Sequence, residues 1–437
     1  MGDKKLSTAN YKGARDFYPP DMVFRSWMFD TMKRVVMSYG YEQYDGPILE
    51  FLELYSAKSG QEIVEKQLYD FTDKGGRQVA IRPEMTPTLA RMVAARSREL
   101  PRPIRWFSLP NLWRYENPGH GRLREHWQLN VDIFGGNSIH AEIEIISLAC
   151  DILFAFGAPR ESFKVRYSHR GILSSFLKNS LGLPPEKEQA VAKILDKKNK
   201  ISNEEFESSI NSLLMDTGES LKKINKYLSF SPSHPETPPG LDPDALKYVR
   251  TFLARIEAIG LSDMIEFDPS IIRGFDYYTG FIFEIFDTSP QNKRSLYGGG
   301  RYDNLIGLFS NESLSGIGFG LGDVTLENFL KSHNLIPEFK KETSIFIPLL
   351  SDELFDETMK LSKEIRSLGI PCEINLEGTQ KLSKQIPTAS KKGYRYLLIL
   401  GEEELRNGLV QFKDLLKSDQ KSLKRTGLDE LTRLLNI

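Results

Sequence analysis

Cysteine is nearly missing from this chain. Two of the 437 residues are Cys, Cys150 and Cys372, far apart and in no C-x-x-C pairing. That excludes a disulfide framework and a thiolate zinc site, and it points to a reducing compartment, the cytoplasm. Long apolar runs are missing too. A stretch such as Leu397, Leu398, Ile399 and Leu400 is far too short to span a bilayer, so no membrane partner is expected. Residues 1–6 carry charges and no apolar core, which argues against a secretory signal, and Leu6 stands where a myristoylation signal needs Ser or Thr. The six histidines (His120, His126, His140, His169, His234 and His333) are scattered without ligand spacing. No metal centre or catalytic triad is assigned to them. Net charge is small as well: 58 Lys plus Arg against 59 Asp plus Glu, or −1. That total speaks against a uniformly basic nucleic-acid-binding surface.

What is present suits a folded, multi-domain chain. With 40% apolar and 11% aromatic residues it can build sizeable cores, and at roughly 150 residues per domain the length predicts two or three domains. Pro19, Pro20 and Asp21 form a stop-and-cap signal, after which Val23, Trp27, Met28, Met32, Val35 and Val36 recur at helical spacing up to Gly40. Residues 41–51 read as extended, with Pro47 limiting them to an edge or interface. Residues 78–81 read as a short strand entering Arg82-Pro83-Glu84-Met85-Thr86-Pro87, then 88–98 as a helix. An apolar helix follows at 142–156. From about 171 to 259 the composition shifts to short Lys- and Glu-rich helices, an insertion rather than core. Strands resume at 281–286, 297–303 and 316–322. After a polar linker at 337–343, residues 344–437 alternate strand and helix, the rhythm of a small parallel α/β domain.

The chemistry concentrates between these elements. Residues 104–116 and 124–134 are strand-like and joined by the turn-rich Asn117-Pro118-Gly119-His120-Gly121, which predicts an antiparallel hairpin. Alternation places Arg114 and Glu116 on one face, and Gln128, Asn130 and Asp132 on one face of the return strand. Such a face is the floor of a polar pocket, not a core pattern. Residues 91–124 hold eight Arg, no Lys and two acids. Exclusion of Lys points to planar, bidentate donors of the kind that grip phosphate or carboxylate. Arg114, beside Leu112 and Trp113, is the pointed one; Arg96, Arg98 and Arg102 read as a solvated face. Arg273-Gly274-Phe275-Asp276-Tyr277-Tyr278 gathers a cation, an acid and two phenols, and fits a functional pocket or a packed strand end equally well. Gly298-Gly299-Gly300 and Gly318-Phe319-Gly320-Leu321-Gly322 are followed by no G-K-[ST] and open no β-α-β unit. They read as close backbone approach or tight turns in an antiparallel sheet. His120 and His126, in or beside the hairpin loop, read as solvated.

Together these segments resemble the histidyl-tRNA synthetases, a family of class II aminoacyl-tRNA synthetases, over essentially the whole chain. Arg82-Pro83-Glu84-Met85-Thr86 resembles their amino-acid loop, and Leu112-Trp113-Arg114-Tyr115-Glu116 with residues 128–135 resembles class II motif 2. Residues 272–278 resemble the histidine-specific motif, and Gly298 to Asp303 the second histidine-pocket segment. Residues 41–50 sit where motif 1 supplies a dimer interface. Residues 381–385 and 398–402 resemble the anticodon-binding domain. The resemblance implies an α+β catalytic domain at 1–336, built on a class II antiparallel sheet with flanking helices and the helical insertion. A linker at 337–343 and an α/β anticodon-binding domain at 344–437 would follow. It implies a homodimer that activates L-histidine with ATP as substrate, Mg²⁺ accompanying the ATP, and transfers the histidyl group to the 3′ end of tRNA(His). For the catalytic roles it implies Arg114 as the α-phosphate clamp and Arg273 as a second cation that also faces the histidine. Glu84 and Thr86, with Met85 between them and Gln128 opposite, would take the α-amino end. Asp132 and Tyr278 would meet the imidazole nitrogens, with Tyr277 and Tyr302 as walls. Glu116 would accept from the adenine amino group and Arg122 would reach the outer phosphates.

Two departures stand out. Many bacterial members have Glu where Asp132 stands, and Thr325 occupies the motif 3 position where the family usually places an Arg against adenine and the γ-phosphate. The family also has a non-catalytic paralogue, the histidine-binding regulatory subunit of ATP phosphoribosyltransferase, which typically lacks the C-terminal domain and degrades the arginines. Arg114, Arg273 and residues 344–437 favour the enzyme over that alternative. The net charge of −1 also conceals two basic stretches. Residues 91–124 carry eight bases and two acids, and residues 381–425 eleven bases and five acids, each a local excess of +6. They lie in the units where a tRNA acceptor end and anticodon would dock.

Overall fold

The computed structural model describes residues 5–56, 66–198, 201–215, 218–234, 236–272, 278–292, 294–339, 344–376, 380–417 and 419–435. The chain divides into two compact units, Met1–Ile336 and Pro337–Ile437. No helix among the described residues is long and apolar enough to cross a membrane.

The first unit is built on a nine-stranded sheet. Its spatial order is Glu42–Gln43, Ile104–Ser108, Glu125–Phe134, Gly316–Gly322, Ser295–Arg301, Phe281–Asp287, Phe163–His169 and Ile265–Phe267, with Asn111–Trp113 also pairing to Glu125–Phe134. The outermost pair at each edge is parallel and every other pairing antiparallel. The alternation read from the sequence decides which face is core. Leu129, Val131 and Ile133 join Ile317, Phe319, Leu321, Tyr297, Phe283, Ile285, Val165 and Tyr167 in one buried cluster. Helices Pro19–Ser38 and His140–Ala155 cover that face with Met28, Met32, Val35, Val36, Ile145, Ile146 and Leu153. Burying each such side chain contributes about 1.5–3 kcal/mol, which ties the polar face opposite to a rigid backing.

Three expectations change. The extended stretch at 41–51 forms two short strands in different sheets: Glu42–Gln43 joins the main sheet, while Leu49–Phe51 pairs with Gln78–Ile81, which also pairs with Tyr69–Thr72. The helical insertion shares the main core instead of standing apart from it. Its last helix, Pro243–Ala258, is capped by the Asp242 carboxylate and sends Phe252 against Tyr167 and Phe281, with ring centroids 5.0 and 4.7 Å apart. The final unit is not purely parallel. Cys372–Ile374, Ile345–Ile347 and Tyr396–Ile399 are parallel, but a hairpin of Leu409–Asp414 and Asp419–Lys424 completes the sheet antiparallel. The last strand is polar and exposed except for Leu423, so it carries no apolar alternation to read.

Candidate active site

The polar face of the main sheet is a set of rows. Trp106, Asp132, Gly318, Gly300, Ile282 and Ser168 lie side by side across six strands; the next row is Ser108, Asn130, Gly320, Gly298, Glu284 and Arg166. Paired residues point the same way, so polar side chains of the hairpin lie beside strands that have none. A Cβ on Gly318 would stand 2.2 Å from Asp132 Oδ1, one on Gly320 2.3 Å from Gln128 Nε2, one on Gly300 2.8 Å from the Tyr278 ring, and one on Gly316 2.5 Å from the Tyr302 ring. The glycines form the floor over which these four side chains lie.

Asp132 is the centre of this floor. It is 2% exposed, and Tyr302 Oη donates to its Oδ1, while Oδ2 has no partner among the described residues. Burial pushes its pKa from 3.8 up to about 7, the Tyr302 bond opposing. Tyr44 and Ser108 bring two further buried hydroxyls, near enough to interact with each other, and the Asp132 charge helps burial keep Tyr44 protonated. Buried polar atoms left open in this way are normally met by water or a ligand. Ionisation of Asp132 works against the fold. Between about pH 4 and pH 7 the native state binds more protons at this carboxyl than the unfolded chain, so ligand-free stability falls as pH rises through that window. Asp132→Asn should flatten the decline: the melting temperature of the variant minus that of the parent grows from pH 4.5 to pH 8. A difference independent of pH would contradict this.

One end of the floor is closed by the amino-acid loop and the hairpin. Buried Arg82 bolts the loop in place, donating to Asp45 Oδ1 (3.0 Å), Gly46 O (2.7 Å) and Asn111 O (3.0 Å). Half-buried Arg114 donates from Nε to Pro83 O at 2.9 Å, so the guanidinium is oriented by the backbone beside Glu84. The hairpin keeps one register throughout, although its outgoing strand pauses at Leu109 and Pro110 and ends at Trp113. Ile104 faces Phe134, Trp113 faces Glu125, and the Arg114 N–H donates to Arg124 O at 2.8 Å. Arg114 and Glu116 therefore lie just past the strand, not on it. Arg122 pairs with Glu116 across the loop.

A family model described as Histidyl-tRNA synthetase matches residues 13–324, and one described as Anticodon binding domain matches residues 343–435. A histidine–tRNA ligase of Leptospira biflexa is 59% identical over 420 residues, 96% of each chain. The chain belongs to the histidyl-tRNA synthetase family. A histidine–tRNA ligase of Thermoplasma volcanium is 37% identical over 94% of each chain. The crystal structure of histidyl-tRNA synthetase from Nostoc sp. PCC 7120 shares the fold at a TM-score of 0.80 and 22% identity, covering 98% of this chain and 100% of that one.

Of the residues that the histidyl-tRNA synthetase resemblance singles out, Gln128, Asp132, Tyr278 and Tyr302 lie together on the glycine floor. Arg114 is held by Pro83 O in the loop that carries Glu84 and Thr86, and Glu116 and Arg122 pair at the hairpin loop. Arg273 and Tyr277 fall outside the described residues. Met85 is fully buried, in a cluster with Tyr44, Leu89, Phe134 and Tyr302. Tyr302 does more than wall the pocket, since its hydroxyl engages Asp132. His126 is not solvated: it is half-buried on the same face as Gln128, and burial, then the charges of Arg114, Arg15 and Arg122, lowers its pKa to about 3. Ser108 and Tyr44 escaped the sequence reading; hairpin parity places Ser108, but nothing in the sequence places Tyr44. Thr325 lies in the first turns of helix Asp323–Ser332, its hydroxyl donating to Leu296 O (2.7 Å) and Gly322 O (3.0 Å). Beside it the Asp323 carboxylate, 3% exposed, takes Arg15 at 2.6 Å and the Trp127 N–H at 3.0 Å.

Proposed function

We propose that this chain is a histidine–tRNA ligase whose amino-acid pocket is the glycine floor around Asp132. The observation that carries the reading is Asp132 itself: a buried carboxyl with one oxygen engaged by Tyr302 and the other open, set where only glycine leaves room. Such a group accepts an N–H, and an imidazole offers one. Tyr278, over Gly300, would meet the other ring nitrogen. A pocket that pairs both nitrogens discriminates against rings lacking them, because its own buried polar groups would be left unpaired.

The remaining residues fit the first half-reaction. Glu84, Thr86 and Gln128 would hold the α-amino end of histidine, directing its carboxylate toward Arg114. A carboxylate oxygen attacks the α-phosphorus of ATP, the bond to the β-phosphate bridging oxygen breaks, and pyrophosphate leaves with the electron pair. Arg114, fixed by Pro83 O, would stabilise the charge building on the α-phosphate. In the second half-reaction a hydroxyl of the terminal tRNA adenosine attacks the acyl carbon and AMP leaves. Arg273, by resemblance, would add a second cation. Glu116 would turn from Arg122 to the adenine amino group and release Arg122 to the outer phosphates. Mg²⁺ would enter as part of the Mg–ATP substrate, on phosphate oxygens and water; among the described residues no three His, Cys, Asp or Glu side chains converge.

Residues 344–437 would bind the anticodon stem. A homodimer is proposed through the small sheet, where Ile48, Leu49, Phe51 and Phe71 are 53%, 42%, 52% and 47% exposed. A reducing, cytoplasmic setting suits the free Cys150 and Cys372. The regulatory-subunit alternative gains no support over the ligase reading, since the 59% identical relative is named a histidine–tRNA ligase over 96% of its length. Exchange of labelled pyrophosphate into ATP tests the proposal. Exchange is expected with histidine and not with other amino acids; folded protein giving none would overturn it.

A further inference from the structure

At the start of strand Ser295–Arg301 a narrow cleft lies between the hairpin loop and helix Asp323–Ser332. Arg294 Cδ, Thr325 Cγ2 and Asn328 Nδ2 all lie 3.8 Å from where a Cβ on Gly121 would sit, and His120 and Asn292 complete the wall. Among the described residues the cleft is lined by no carboxylate. His120 Nε2 lies 2.9 Å from Asn292 Oδ1, which fixes the loop tip against this wall. The strand Ser295–Arg301 leads from the cleft, at Leu296, to the pocket, at Gly300. Four residues at about 3.3 Å each make ~13 Å, a span that a histidine over Asp132 with an ATP beyond it is long enough to cover.

Three arginines stand near this corner, and two are engaged. Arg15 is held by Asp323 at 2.6 Å and approaches Glu327 at 3.7 Å. Arg122, next to Gly121 in the chain, is paired with Glu116. Arg294 is exposed and has no acidic partner among the described residues. Two guanidiniums around one glycine with a single carboxylate between them leave an unbalanced positive charge, which a polyanion would relieve. Thr325 contributes no charge, and its hydroxyl is engaged by backbone carbonyls.

We propose that Arg294 holds the outer phosphates of ATP, supplying from the start of the glycine strand the positive charge that the helix lacks at Thr325. The proposal rests on the ligase reading for its ligand and deepens it. Arg294 is assigned as a phosphate-contacting residue, with no proton or bond passing through it.

Arg294→Ala should weaken ATP, titrated directly by calorimetry, by about 10- to 100-fold, the scale of one charge-assisted contact. In pyrophosphate exchange the KM for ATP should rise similarly while the KM for histidine stays within about twofold. A non-hydrolysable histidyl-sulfamoyl adenosine, which lacks outer phosphates, should bind parent and variant alike. Adding Thr325→Arg to Arg294→Ala should restore part of the ATP affinity. Unchanged ATP affinity overturns the proposal, as does an equal loss for the sulfamoyl adenylate, which would mean a structural role. Absence of histidine-dependent exchange in the parent protein would instead overturn the ligase reading, leaving the ATP titration to decide on Arg294.

Discussion

Arg114→Ala is expected to lower histidine-dependent pyrophosphate exchange by about a thousandfold. A single preorganised donor on a developing oxyanion is worth about 10²–10³ in rate, and an arginine on a transferring phosphoryl group about 10³–10⁵. Arg114 has the required preorganisation: its Nε donates to Pro83 O at 2.9 Å, so the opposite edge of the guanidinium is aimed without further ordering. The loss should fall on kcat, with the KM for histidine nearly unchanged, because the interaction strengthens only as charge builds on the phosphate. Arg114→Lys should recover little, since a point charge lacks the planar fork and the second donor that holds it. Removing one half-buried hydrogen bond should cost about 1 kcal/mol of stability, so the variant stays folded. An Arg114→Ala enzyme within tenfold of the parent would remove this residue from the mechanism.

Gly318→Ala is the second large effect. The added methyl would stand 2.2 Å from Asp132 Oδ1 and 2.4 Å from Val131 O. A side chain can rotate away, but the Val131 carbonyl belongs to an interior strand of the sheet and cannot. Overpacking of this kind costs about 1–3 kcal/mol, which should appear as a lower melting temperature. Histidine activation should suffer beyond that, with kcat/KM for histidine down about a hundredfold as Asp132 loses its bond to Tyr302 and its aim. Gly307→Ala is the control: nothing lies within 4 Å of its added Cβ, and both stability and activity should be preserved. If Gly318→Ala activates histidine as well as Gly307→Ala does, the glycine floor is not part of the site.

Much of this was legible in the sequence because its signals are local. Period-two alternation in the hairpin set Gln128, Asn130 and Asp132 on one face, and the sheet keeps them there with Leu129, Val131 and Ile133 in the core. The helix start at Pro19-Pro20-Asp21 follows from the fixed φ of proline and from the Asp21 carboxylate, which accepts the Tyr18 N–H. The glycine runs read as close backbone approach or tight turns; they lie in strands, and what approaches them was not readable. Asp132 and Gly318 are 186 positions apart in the numbering, and only strand pairing brings them side by side. The strand Asp419–Lys424 was missed for the opposite reason, having almost no apolar pattern at all.

By itself the sequence determined the scarcity of cysteine, the near-zero charge, the polar hairpin face and the motifs that mark the family. These are properties of composition or of spacing within about ten residues. The tertiary structure alone decided what the charges do. The eight arginines at 91–124 count as a local excess of +6 along the chain, yet Arg91 is paired with Glu50, Arg98 and Arg102 with Glu312, and Arg105 with Glu144 in a two-bond fork. Arg122 meets Glu116 within the hairpin loop. Coulomb attraction at contact distance depends on position in space, not on position in the chain, so half of that excess is offset by three acids from distant segments, Glu50, Glu144 and Glu312. Of the eight, the one that the fold sets beside the amino-acid loop is Arg114, held by Pro83 O, while Arg294 comes to the cleft from a different segment.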